Sequence, residues 1–491
     1  MKLTQTEAPV WVEAEPIVKR EQYSAEAVIP DSREDAKCLV WAQGGVLLKG
    51  KEPMEHSCSF AGELWASVLY LTESGKTETL RIGRAFEMRL ELENVETEAL
   101  PQISWQLSAL EGRLLNPRKI GVSFEVQAVI ESFCKGKALL DSALAADAPA
   151  QIHLRRESRE ALILRQVREK IFTARERLSM GEEDQAPQSI AGERLRFVEL
   201  SGERLGLRCI VKGELELQIW GLNEMELPVT CSFRIPFSQL LDLDDEGEGD
   251  ILVQAEPSSV YLEWMEGMAG ERSLDAEIHG VLQLRIYQKQ NMCYASDGYC
   301  SRMHSEPLME DRKILRSLKR ESLLLRGEES LSMPEDLQML LAAEPFLGPM
   351  TWDREKTELT LSLDLLVRRV DGSLDTLHRS LRLEGDALPA AARPIRQEIV
   401  SYDFRTENGK LNLNCRAELL WELEETEKLE TLSALELDEE GAWDPSAMPA
   451  LSLVINRGET LWDLAKAYHS SLELIEACNP EPGEILLIPA E

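Results

Sequence analysis

Histidine is scarce: six residues in a chain of 491, at His56, His153, His279, His304, His378 and His469, with no HxxxH or HExxH spacing. That argues against a catalytic metal centre. The nine cysteines (38, 58, 134, 209, 231, 293, 300, 415 and 478) are odd in number and widely scattered, which disfavours a disulfide framework and points to the cytosol. Basic residues are too few for the acidic ones, 54 against 88, leaving a formal charge of −34. Nucleic acid and anionic lipid both need clustered Lys and Arg, so neither is expected as a partner. No apolar run approaches the roughly 18–20 residues of a membrane span, so no membrane insertion is expected. The first residues, MKLTQTEAPVWVEAEPIVKR, show no apolar segment behind a basic end and read as no signal peptide. GxSxG, Walker A and GxGxxG patterns are missing too, and no positioned acid, base or nucleophile is readable. We therefore expect no catalytic residue, no metal and no cofactor.

What the chain has is repetition. VKREQYSAEAVIPDSRED, VREKIFTARERLSMGEED and LKRESLLLRGEESLSMPED begin at Val18, Val167 and Leu318, a period of about 150 residues. Period-2 alternation recurs at the same spacing. It runs through Phe60, Gly62, Leu64, Ala66 and Val68, through Cys209, Val211, Gly213, Leu215 and Leu217, and through Leu359, Leu361, Leu363 and Leu365. A later set repeats it around Phe124, Ile278 and Leu413, with glycine turns expected at Glu111-Gly112, Glu266-Gly267 and Asn408-Gly409. Alternation of this length is the pattern of strands with one packed and one wet face. The expected fold is mainly β: three tandem antiparallel sandwich or open-barrel units at 1–140, 151–290 and 310–423. Charged joints are expected near 135–165 and 289–317. The acidic stretch 424–450 reads as a solvated tether.

Residues 451–489 differ in kind. Leu451 to Ile455 reads as a short strand, Arg457-Gly458 as a turn, and Thr460 with Asp463 as a capping box. Leu461, Leu464, Ala465 and Tyr468 form one helical stripe. Ser470 with Glu473 repeats the capping spacing, Asn479-Pro480 stops a second helix, and Ile485 to Ile488 closes a βααβ module.

Several residues tempt other readings. DLDDEGEGD (242–250) puts Gly247 where a calcium loop needs glycine, but Val253 where it needs a bidentate Glu; a solvated loop is expected. Cys293 and Cys300 with His304 lack a close pair and a fourth ligand for zinc. Trp65 and Trp220 fall opposite Leu64 and Ile219, the packed face. They, and Trp462, are candidate exposed anchors for a partner, against burial beneath a neighbouring strand or domain.

The run GETLWDLAKAY, the NP after the second helix and the PGE-ILLIP ending make residues 451–491 resemble a LysM domain. The resemblance implies a shallow groove that takes N-acetylglucosamine-containing glycans. Its walls would be Gly458, Glu459, Thr460 and Leu461 on one side, with Arg457 beside them, and Asn479, Pro480 and Ile485 on the other. Only Glu481 separates Asn479-Pro480 from Pro482-Gly483, so the second wall is short. IPDSREDAKCLVWAQGGV, GELWASVLY and RLLNPRKIGVSFEVQAVI resemble the SPOCS domain of sporulating Firmicutes. SPOCS units ahead of one LysM resemble clostridial-type spore-coat morphogenetic proteins. That family implies a non-enzymatic scaffold in the mother-cell cytoplasm at the forespore surface. Its partners would be spore-coat proteins, especially a basement-layer ATPase of the stage IV sporulation protein A kind. Two alternatives stay open: a peptidoglycan-binding protein of wall or cortex, and a phage-tail-like baseplate protein.

Overall fold

The computed structural model describes residues 2–54, 57–91, 99–145, 148, 151–180, 186–266, 272–332, 336–407, 410–442, 449–481 and 483–490. It is mainly β, with several antiparallel sheets and two short helices. The first stretch holds β1 (Thr4–Glu13), β2 (Ile17–Val28), β3 (Ala36–Met54), β4 (Ser57–Thr72), β5 (Thr77–Glu91), β6 (Leu100–Asn116) and β7 (Lys119–Ala143). The second holds β8 (Ile152–Ser179), β9 (Ser189–Leu205), β10 (Arg208–Leu222), β11 (Pro228–Asp242), β12 (Asp250–Glu266) and β13 (Arg272–Cys300). The third holds β14 (Met303–Ser332), β15 (Leu337–Trp352), β16 (Lys356–Arg369), β17 (Leu374–Asp386), β18 (Arg393–Glu407) and β19 (Lys410–Ala442). The chain ends with β20 (Leu451–Ile455), α1 (Leu461–Ala467), α2 (Leu472–Cys478) and β21 (Ile485–Pro489).

Each stretch pairs its strands in the same order. β3-β4-β5, β9-β10-β11 and β15-β16-β17 are three-strand meanders. Each meander faces a long antiparallel pair, β2 with β7, β8 with β13, or β14 with β19, which carries β6, β12 or β18 on its flank. The alternating residues fill the space between the two layers. Phe60, Leu64, Val68, Phe124 and Val126 pack the first core; Cys209, Leu215, Ile278 and Leu284 the second; Leu361, Leu365, Leu413 and Ala417 the third. Each Val, Leu, Ile or Phe among them contributes about 1.5–3 kcal/mol when fully buried.

Most of each expected joint is strand, up to Ala143 and from Ile152 in the first, up to Cys300 and from Met303 in the second. β7, β8, β13, β14 and β19 run on past the sandwiches into a stalk with its own core of Leu139, Ala161, Met292, Tyr294, Ile314 and Leu429. Cys293 and Cys300 therefore lie in a strand, not in a loose joint. The acidic tether is corrected likewise. Residues 424–438 pair with β14, from Glu424 against Leu318 to Asp438 against His304. Their acidic side chains point outward while Leu429, Leu432 and Leu435 are buried. Glu111-Gly112 lies inside β6 instead of at a turn. Gly267, Asn408-Gly409 and 443–448 of the tether fall outside the described residues. No helix among the described residues is long and apolar enough to cross a membrane.

Candidate functional site

The C-terminal module is a βααβ head, with β20 and β21 antiparallel. Thr460 caps α1: its hydroxyl accepts the Asp463 amide at 3.2 Å, and the Asp463 carboxylate accepts the Thr460 amide at 3.4 Å. The second cap is Ser471, not Ser470. The Ser471 hydroxyl accepts the Leu474 amide, while Ser470 donates to the Pro489 carbonyl at 2.5 Å. Gly458 turns the first loop with φ of +95°, a left-handed conformation that glycine adopts without strain.

The two loops expected to wall a groove leave the same end of the β20–β21 pair. The Asn456 amide donates to the Glu484 carbonyl at 2.8 Å and holds that end closed. Arg457, Gly458, Glu459, Thr460 and Pro480 are exposed, and Leu461 is half-buried against the head core. Asn479 has a different task. Its amide nitrogen donates to the Ile475 and Leu487 carbonyls, each at 2.7 Å, and its oxygen accepts the Leu487 amide at 2.8 Å. It locks α2 to β21 and is a positioning residue. Ile485 sits on the outer face of the strand pair, opposite Ile455.

The head is not leashed; it is clamped to the end of β13. Trp462 donates its indole N–H to Asp297 Oδ2 at 2.8 Å, and Lys466 Nζ reaches both oxygens of Asp297 at 2.8 and 2.9 Å. Tyr299 donates to the Ser470 carbonyl at 2.6 Å and stacks edge-on against Trp462 at 5.0 Å. Asp297 and Tyr299 gave no sequence signal, because CYASDGYC falls within the stretch 289–317 expected as a joint.

All three tryptophans named as candidate anchors are buried: Trp65 at 2%, Trp220 at 3% and Trp462 at 7% exposed. The first two face the junction where the three meanders meet. Trp65 lies beneath the Arg81 guanidinium at 4.5 Å, which is itself bidentate to Glu193. Trp220 packs edge-on against Trp41 at 5.0 Å, beside Leu69 and Leu366. Next to that apolar layer Arg194 pairs with Glu344 at 2.7 Å. A cavity of about 320 Å³ follows, lined by Trp105, Arg196, Glu256 and Arg396 among others.

Beyond the cavity lies a buried ion network. Arg285, 1% exposed at its side chain, pairs with Glu131 at 3.2 Å and donates to Gln254. Arg320 pairs with Glu422, and Arg393 bridges Glu422 and Glu13, each at 2.6 Å. Burial pushes the Glu13 carboxyl up, against the pull of Arg393. Burial pushes Glu422 the same way, but Arg320, Arg285 and Arg393 together hold it below the usual range. The oxygens of Glu13, Glu131 and Glu422 lie within 4.8 Å of one another. The three guanidinium groups already supply the charge that a cation would bring.

Comparison with protein-family models, with curated proteins and with solved structures finds no match to this chain.

The clamp sets a testable pH response. Burial opposes the charge on Asp297, but Lys466, the Trp462 N–H and the Gly298 amide hold its carboxyl below the ordinary 3.8. Docking stability from Asp297 is thus full above that value and lost as pH falls through the lower folded one. His469 is held below its ordinary 6.5 by burial and by His304. Its protonation favours the undocked or unfolded form, so its loss begins below that higher value. Protease protection of the head should therefore fall in two steps on acidification. Asp297→Asn should remove the lower step. At neutral pH it should weaken docking by about 1.5–3 kcal/mol, the range for hydrogen bonds to a charged group, read as faster amide exchange in α1.

Proposed function

We propose that the chain is a non-enzymatic scaffold of spore-coat assembly, built from three copies of one SPOCS-like β unit and a LysM-type head. It acts in the mother-cell cytoplasm at the forespore surface. It binds a basement-layer ATPase of the stage IV sporulation protein A kind, together with other coat proteins. The observation that carries this reading is the clamp. A small head with two exposed loops is held at the end of a stalk by Asp297 and Tyr299. A rigidly presented surface loses little conformational freedom on binding, which favours affinity from a small contact.

The test uses full-length protein, wild type and with Arg457→Glu and Glu459→Arg together, captured on the immobilised ATPase. Both side chains are exposed, so the exchange leaves the fold intact. At least tenfold weaker capture of the variant is expected; equal capture removes the 457–460 loop from the contact. The exposed loop residues 457–460 also favour a second reading, N-acetylglucosamine-containing glycan. Saturable heat from muropeptide oligomers, lost in the same variant, would move the assignment to it.

A further inference from the structure

The head carries a second surface, separate from the loops at 457–460 and 479–484. In the β20–β21 pair the Ala490 amide donates to the Ala450 carbonyl, and the Asn456 amide to Glu484. Antiparallel pairs alternate, so Ser452 and Val454 complete the ladder between these points. The N–H and C=O groups of Leu451, Leu453 and Ile455 then point away from β21. On β21 the outward positions are Ile485, Leu487 and Pro489; the Asn479 side chain covers both backbone groups of Leu487, and the Pro489 carbonyl accepts from Ser470. Among the described residues one edge of the sheet is capped and the other carries no strand. Among the described residues β21 is the sole strand partner of β20.

An open edge is usually blunted by lysine, proline or a bulge. Leu451-Ser452-Leu453-Val454-Ile455 has none of these. Leu451, Leu453 and Ile455 also present their side chains to solvent, with Ile485 beside them, at 51%, 71%, 62% and 61% exposure. Backbone donors and acceptors, and an apolar strip, therefore coincide on one short strand. The surroundings are acidic. Glu484 adjoins Ile485, while Glu459 and Glu481 sit exposed in the two loops at that end. Lys466 is held by Asp297, which leaves Arg457 as the head's other cation.

We propose that the free edge of β20 binds an extended segment of a protein partner, in which apolar residues alternate with Lys or Arg. The segment joins the sheet as a third strand. Its backbone satisfies Leu451, Leu453 and Ile455, its apolar side chains cover the strip, and its cations meet the acidic rim. The charge argues against a second copy as the occupant, since each chain carries −34 and repels its own kind. The inference rests on the backbone edge of β20 and not on the groove, although Ile485 and Glu459 border both.

The probe is a fluorescein-labelled peptide of alternating valine and lysine, titrated with full-length protein and read by anisotropy. The comparison peptide has the same sequence with alternate amides N-methylated. Two variants are used. Leu453→Pro removes the outward N–H without touching the ladder to β21. Leu453→Lys charges the strip. Saturable binding is expected, at least tenfold weaker for both variants and for the methylated peptide. Arg457→Glu alone keeps every rim carboxylate and should still bind the peptide, which separates failure here from failure of the groove reading. Equal binding of methylated and plain peptides, or no saturable binding, overturns strand addition. A concentration-dependent dimer of the wild-type chain that Leu453→Lys dissolves gives the edge to a second copy and overturns the choice of partner.

Discussion

Arg285→Leu is expected to lower the unfolding free energy by about 3–5 kcal/mol, the range for removing one partner of a buried ion pair. The side chain is 1% exposed, on a strand between Leu284 and Ile286. Its guanidinium holds Glu131 at 3.2 Å and Gln254, and lies 4.8 Å above the Phe133 ring. Leucine leaves Glu131 and the Gln254 oxygen buried without that donor. Their desolvation, more than the lost attraction, sets the size of the effect. Lysine keeps the charge but loses the planar fork, so Arg285→Lys should recover only part of the loss. Replacing both partners, Glu131→Met with Arg285→Met, should recover more than half of it, because an apolar pair leaves no uncompensated charge. Urea denaturation followed by tryptophan fluorescence measures all three. A loss under about 1 kcal/mol for Arg285→Leu, the size of an exposed pair, would show that water reaches the network.

The same network shows what the sequence could and could not reveal. Alternation placed Leu284 and Ile286 on a packed face and Arg285 on the opposite one, and that parity holds. The opposite face is not wet, because the β12–β13 and β6–β7 layers meet there. A period-2 pattern reports which residues share a face; it does not report what covers that face. Alternation likewise leaves exposure and burial both open for Trp65 and Trp220, and the covering strands decide for burial. The acidic tether failed differently. Leu429, Leu432 and Leu435 are spaced by three, and the register of β19 slips beside Ser433, where Leu308 pairs with Ala434 but Met309 with Leu432. A bulge of that kind breaks strict alternation, so the leucines do not read as a strand. The head was the most legible part, since its capping box and helical stripe are local signals. Its clamp was not, because Asp297 and Tyr299 meet it only through packing 165 residues or more away in sequence.

The second large effect belongs to Trp220, and it separates a structural role from a binding one. Trp220→Ala is expected to cost about 3–5 kcal/mol of stability, the range for deleting a large buried aromatic. The ring touches Trp41 edge-on at 5.0 Å and lies over Gly192, where an added Cβ would come within 2.3 Å of its Nε1. Neither neighbour can collapse into the hole without moving a strand. Trp220→Phe keeps part of the ring and should cost less than half as much. Trp352→Ala is the comparison: that side chain is 38% exposed, and substitution there should cost less than half as much as at Trp220. An exposed anchor predicts the reverse pattern, with intact stability and lost capture by a partner. The junction geometry predicts that Trp220→Ala shifts the urea midpoint strongly, while the molecules that remain folded bind partners at the head as tightly as the wild type.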